Sequence, residues 1–198
     1  MMKALDSPVR YGAVAMTLHW LIASTIIVNL YIGIEMADMA RGDPDHITYL
    51  FYHKSIGLTV LVLSGLRLIW RWMNPVPPPP HGLNRLIRVS AKFMHYLFYV
   101  LIILIPLAGW LMVSVGAQGH ATPVFGLFNW PAFPGLSGMT RSQGHPYHEA
   151  FETIHTWLAW SMVGLIPLHI GAALYHHYVR GDNVLVRMLP GTRLRRSV

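Results

Sequence analysis

The sequence predicts an all-α integral membrane protein, a four-helix bundle with both termini in the cytoplasm. Three observations predict it. The chain is 54% hydrophobic and only 12% charged, where a soluble domain carries about a quarter charged residues. Four apolar stretches have the length of roughly 20 residues that crosses a bilayer. Basic residues gather at one side of those stretches. With 198 residues, the chain has the size of one compact unit, and residues 1–198 are read as a single domain.

The first span runs from about Ala13 to Met36 and the second from about His53 to Trp72. The third runs from about Phe93 to Val115 and the fourth from about Ile154 to Tyr178. Their length and the lack of two-residue alternation make them helices rather than strands. The first apolar run is too long for a cleavable signal peptide and lacks a small-residue cleavage site, so it is expected to remain as the first helix.

The connections differ in character. Ala37–Tyr52 is short and acidic. Met73–Lys92 opens with Asn74-Pro75-Val76-Pro77-Pro78-Pro79-Pro80, which reads as a stiff extended segment. Gly116–Phe151 is rich in Gly, Pro and aromatic residues and is expected to lie over the outer end of the bundle.

Charge sets the direction. Lys3, Arg10, Arg67, Arg71, Arg85, Arg88, Lys92, Arg180, Arg187, Arg193, Arg195 and Arg196 fall at the N-terminus, the second connection or the C-terminus. Arg41, Lys54 and Arg141 fall on the other side, together with Glu35, Asp38, Asp43, Asp45, Glu149 and Glu152. The positive-inside rule then places both termini and the proline run in the cytoplasm. The same rule accounts for the net charge of +7 better than a nucleic-acid partner does, and none is expected. The absence of cysteine excludes disulfides, iron–sulfur clusters, thiolate zinc sites, cysteine nucleophiles and covalently attached haem.

Chemistry is concentrated in the 12 histidines. His19, His53, His95, His155, His169, His176 and His177 lie in or at the ends of the spans, where an ionisable side chain marks function by default. His155 and His169 are 14 residues apart. On an α-helix that puts them on nearly one face, roughly 21 Å apart along the axis. Each needs a partner at its own depth. His53 is level with His155 near the outer side, and His19 with His169 near the inner side. Two imidazoles facing each other in an apolar bundle suit the iron of a haem, held noncovalently as b-type in a cysteine-free chain. Zinc would need three or four ligands at one depth, and a di-iron site would need inward glutamates that the span centres lack. Gly57 and Gly164 are candidates for close approach of helices or a flat cofactor, and Pro106 and Pro167 for helix bends. Trp20, Trp70, Trp72, Trp110 and Trp157 read as an interfacial belt. His46, His81, His120, His145 and His148 read as solvated or capping residues in the connections.

With these residues in view, the chain resembles the bacterial cytochrome b561 family of small dihaem membrane cytochromes over nearly its whole length. The resemblance rests on Arg10-Tyr11-Gly12, Leu18-His19-Trp20, His53-Lys54-Ser55-Ile56-Gly57, Arg67 and Arg71 before the proline run, and His95. It also rests on His155 with His169, His176-His177-Tyr178 and the tail Gly181-Asp182-Asn183-Val184-Leu185-Val186-Arg187-Met188-Leu189-Pro190. It implies two haem b groups with His53 and His155 as one axial pair and His19 and His169 as the other, which agrees with the pairing by depth. It also implies a multi-pass protein of the bacterial inner membrane that exchanges electrons with the quinone pool, ubiquinone being the expected exchangeable substrate. Some members are similar to superoxide oxidases, which makes superoxide or a redox protein the candidate donor. Arg10, Arg67 and Arg71 inside and Lys54 outside are candidate partners for haem propionates, although snorkelling to the interface also explains each. His95 and His176 are candidates for a quinone site, since imidazole exchanges protons near neutral pH.

Two other functions compete. The chain could be a cytochrome b membrane-anchor subunit of a larger oxidoreductase such as a hydrogenase or formate dehydrogenase, which would need its partner for turnover. It could instead be a haem-free metal or small-solute carrier, which would show no haem spectrum.

Overall fold

The structure is a computed structural model and describes residues 10–40, 42–74, 76–79, 83–117, 121–192 and 194. Lys3, Arg41, Pro75, Pro80, His81, His120, Arg193, Arg195 and Arg196 lie outside the described residues.

Four long helices run up and down: α1 (Ala13–Ala37), α2 (Pro44–Met73), α3 (Arg85–Ser114) and α4 (Arg141–Tyr178). All four are long and apolar enough to cross a membrane. Many of their large apolar side chains are exposed on the isolated chain, Trp72 at 89% and Trp157 at 71% among them. Water would not tolerate that surface in a monomer of this size, but lipid does.

Three helices begin well before their apolar stretches, because polar side chains cap the earlier turns. Asp43 accepts the Asp45 N–H ahead of Pro44 at the first turn of α2. Asn84 accepts the Ile87 N–H at the start of α3. Thr140 and Gln143 form a reciprocal capping box at the start of α4. His53 therefore lies nine residues inside α2 rather than at its opening. His46 lies within α2, and His145 and His148 lie in the first turns of α4, not in connections. The last two pair with acids one turn on, His145 with Glu149 at 3.5 Å and His148 with Glu152 at 3.8 Å.

Between α3 and α4, a short antiparallel hairpin joins β1 (Thr122–Val124) to β2 (Phe128–Trp130). Its tight turn uses positive φ at Phe125 and Gly126. Two buried serines fasten this connection to the bundle. Ser55 Oγ accepts the Phe125 N–H at 3.0 Å, and Ser114 Oγ accepts the Phe133 N–H at 2.8 Å. Trp110 Nε1 donates to the Pro131 carbonyl at 3.0 Å. The connection thus covers one end of the bundle, here termed the hairpin end.

At the opposite, terminal end, the tail after α4 folds back across the other chain segments. Arg10 donates to the carbonyls of Leu189 and Thr192. Trp20 Nε1 donates to the Met188 carbonyl at 2.8 Å, and Arg187 to the Pro78 carbonyl at 2.6 Å.

Helix α1 packs on α2, α2 on α3, and α3 on α4. Among the described residues, the backbone of α4 lies closest to α3 and approaches α1 and α2 far less. One buried cluster is Leu101, Ile102 and Met162, joined by Ile26 and Leu30 from α1. Met162 is seven residues from both His155 and His169, so this apolar plug falls midway between the two histidine levels.

Candidate functional site

Across the gap between α4 and the α1–α2 pair, histidine rings face each other at two levels. At the hairpin end the rings of His53 and His155 lie 5.9 Å apart, centroid to centroid, with planes at 80°. At the terminal end those of His19 and His169 lie 6.4 Å apart at 69°. The spacing is informative. A metal–imidazole bond of about 2.0–2.1 Å on each side of one ion sets two opposed rings about 6 Å apart. The same separations fall within the range of about 4.5–7 Å for edge-to-face ring contacts, so the distance is compatible with an intervening ion without requiring one.

The hairpin-end pair is oriented by backbone. His53 Nδ1 lies 3.2 Å from the Asn29 carbonyl oxygen, and His155 Nδ1 lies 2.8 Å from the Ile105 carbonyl oxygen. A carbonyl can only accept, so each Nδ1 carries the proton. Each Nε2 is left with a lone pair, the tautomer that an axial ligand requires.

The same device builds both contacts. Each accepting carbonyl already serves its own helix, and a glycine stands one turn further on: Gly33 after Asn29, Gly109 after Ile105. A Cβ on Gly33 would come within 3.0 Å of His53 Cε1, and one on Gly109 within 3.2 Å of both Cε1 and Nδ1 of His155. Glycine is what lets each ring lie flat against the helix and reach the carbonyl. Sequence reasoning had singled out Gly57 and Gly164 instead. Gly57 has only an ordinary contact, 3.5 Å to Asn29 Nδ2, and Gly164 has nothing within 4 Å.

A cavity of ≈400 Å³ opens at this level. His53, His155, Asn29, Gly33, Gly109 and Lys54 line it, with an otherwise largely aliphatic wall. Asn29 Oδ1 is buried there without a hydrogen-bond partner. The volume, the apolar lining and the few convergent polar groups are those of a cofactor site.

The terminal-end level is more crowded. His169 also has the His95 ring at 5.9 Å and the Phe98 ring at 5.1 Å. Arg67 reaches the Ala15 carbonyl at 3.5 Å, and the Arg71 guanidinium lies 6.0 Å from the centre of the Tyr99 ring. The structure thus joins His95 to the His19–His169 pair. His176 is engaged separately, by Asp182 at 2.5 Å. Arg10 is occupied by the tail carbonyls.

At the hairpin end, the cavity with its two imidazoles could hold a flat metal-bearing cofactor, with His53 and His155 as candidate ligands. A family comparison decides what kind of protein this is. The model for prokaryotic cytochrome b561 matches residues 10–191. The chain belongs to the prokaryotic cytochrome b561 family. Cytochrome b561 homolog 2 of Escherichia coli (strain K12) is 31% identical over 188 residues, covering 95% of each chain. Cytochrome b561 homolog 1 of the same organism is 29% identical over 188 residues, covering 91% of this chain and 97% of the relative. A probable superoxide oxidase, CybB, of Yersinia pestis is 27% identical over 184 residues, covering 93% and 98%. The protein is a multi-pass bacterial membrane cytochrome of electron transport, and membership of the cytochrome b561 family implies haem b.

Proposed function

We propose that this cytochrome holds two b haems, one between His53 and His155 and one between His19 and His169. It carries electrons between a donor at the hairpin end and the quinone pool at the terminal end. The observation that carries this reading is a pair of neighbouring imidazoles at each of two levels, at separations compatible with one ion between them. Bound haem iron supplies reversible one-electron chemistry. The protein supplies the ligands, their tautomer and an apolar enclosure.

His95 lies as near to His169 as His19 does, and helix packing separates the two. Helix α3 lies directly against α4, whereas the backbone of α1 approaches α4 far less. The closer packing of α3 on α4 favours His19, on the more distant helix, as the partner of His169 across a bound macrocycle. His95 and His176 then remain for a quinone beside the terminal-end haem, as proton-exchanging groups. Lys54, which shares the cavity of His53 and His155, is assigned to a haem propionate at the hairpin end, and Arg67 and Arg71 serve at the other end. Arg10 is assigned instead to holding the tail.

The basic residues at the terminal end support a cytoplasmic position for that end and both chain termini by the positive-inside rule, and membership of a prokaryotic cytochrome family supports the bacterial inner membrane. The hairpin end then faces the donor. The likeness to a probable superoxide oxidase makes superoxide the first donor to try, with ubiquinone as acceptor. The test is a reduced-minus-oxidised spectrum of the purified protein with haem quantified per chain. Two low-spin b haems are expected. One haem would remove one of the pairs, and none would remove the reading.

A further inference from the structure

We propose that Asp182 is a positioning residue for His176, and that the two act as a dyad delivering protons to the quinone. The inference rests on the quinone reading above and deepens it.

The chain builds this contact deliberately at the end of α4. The helix stops at Tyr178, and the N–H groups of Val179 and Arg180 both reach the Tyr175 carbonyl. Gly181 then takes φ +66°, the left-handed conformation that glycine adopts without strain. That turn sends the chain back, and the Asp182 N–H closes on the His176 carbonyl at 3.2 Å. The carboxylate is thereby laid against the imidazole of the same residue whose carbonyl it has just capped. Asp182 Oδ2 accepts from His176 Nδ1–H at 2.5 Å, and Oδ1 accepts the Val184 N–H at 3.0 Å. Arg180 Nε, 3.7 Å from Oδ2, steadies the carboxylate. Both side chains are nearly enclosed, at 12% and 15% exposure.

Three features separate this pair from an ordinary surface ion pair. It is short, it is shielded from water, and the carboxylate is held by a second donor from the backbone. Such a carboxylate fixes the ring orientation and the Nδ1–H tautomer, and it stabilises the imidazolium formed when Nε2 takes a proton. His176 is seven residues from His169, so it lies on the same face of α4, roughly 10.5 Å closer to the terminal end. That is the side on which a quinone beside the terminal-end haem would meet water.

The step balances as follows. A quinone accepts two electrons, one at a time, from the donor by way of the cytochrome, and two protons. The His176 Nε2–H bond breaks as a quinone O–H bond forms. His176 stays bonded to Asp182 through Nδ1 and regains its Nε2 proton from water at the terminal end. A second passage supplies the second proton.

The experiment uses the full-length holoprotein in detergent, reduced and then mixed with a soluble ubiquinone analogue or with ferricyanide, which takes electrons without protons. Asp182→Asn is expected to slow reoxidation by quinone at saturation at least about tenfold, the scale of general acid catalysis. The half-saturating quinone concentration, the haem content and the ferricyanide rate should stay at wild-type values. Asp182→Glu should restore most of the quinone rate. If Asp182→Asn reoxidises with quinone as fast as wild type, or if its haem content and ferricyanide rate fall in step, the dyad is overturned and the quinone reading stands. If wild type reacts with ferricyanide but not with quinone, the quinone reading itself fails and takes the dyad with it.

Discussion

The His95 ring stands 5.9 Å from that of His169, closer than the 6.4 Å between His19 and His169. Proximity alone would therefore choose His95 over the proposed partner His19. The choice of His19 rests on the closer backbone packing of α3 than of α1 on α4.

His95→Ala is expected to keep two haems per chain and to weaken quinone reduction. His19→Ala should lose one haem. Haem quantified by its pyridine adduct in each variant decides it. Loss of a haem in His95→Ala, with two retained in His19→Ala, would reassign the ligand.

His155→Ala should lose only the hairpin-end haem, since the two levels share no ligand and the core of Leu101, Ile102 and Met162 lies between them. The reduced spectrum should keep one low-spin b haem. If the same haem disappears in His155→Ala and in His19→Ala, the division into two levels is wrong.

Gly109→Ala places a methyl group 3.2 Å from His155 Cε1 and Nδ1. Overpacking of that kind costs about 1–3 kcal/mol, and here it should tilt the ring and break its bond to Ile105. A shifted haem potential and weaker haem retention are expected. Gly164→Ala, with nothing within 4 Å of the new methyl, is the control and should match wild type in both.

Ser55→Ala leaves the Phe125 N–H without its acceptor, a loss of about 1–3 kcal/mol for a buried donor. The hairpin should loosen while the helices stay packed. Limited proteolysis should cut Thr122–Trp130 faster in the variant at unchanged haem content. Equal cutting rates would mean that Ser114 and Trp110 hold the connection unaided.

Some of this was legible in the sequence, and the reason is periodicity. Fourteen residues is close to four turns, so His155 and His169 declare a shared face, and depth in the spans finds His53 and His19. The four helices were equally plain from apolar length. Their true starts were written too, in Asp43-Pro44 and in Thr140-x-x-Gln143, but the apolar run is the louder signal and pulls the boundary inward. Gly33 and Gly109 were not legible, because glycine is common in membrane helices and only the position of a ring on another helix distinguishes them. The Asp182–His176 bond was hidden for a different reason. It depends on the chain reversing at Gly181, and nothing in the spacing announces which side chain such a reversal will meet.

Helix α4 runs for 38 residues, roughly 57 Å at the α-helical rise, and among the four helices it alone carries a proposed ligand at each level. The segment between His155 and His169 is therefore a fixed-length part. It can vary freely in residue type wherever it faces lipid, but one inserted or deleted residue would swing one ligand about 100° around the axis relative to the other. Natural variation in this segment should be rich in substitutions and empty of single-residue insertions and deletions.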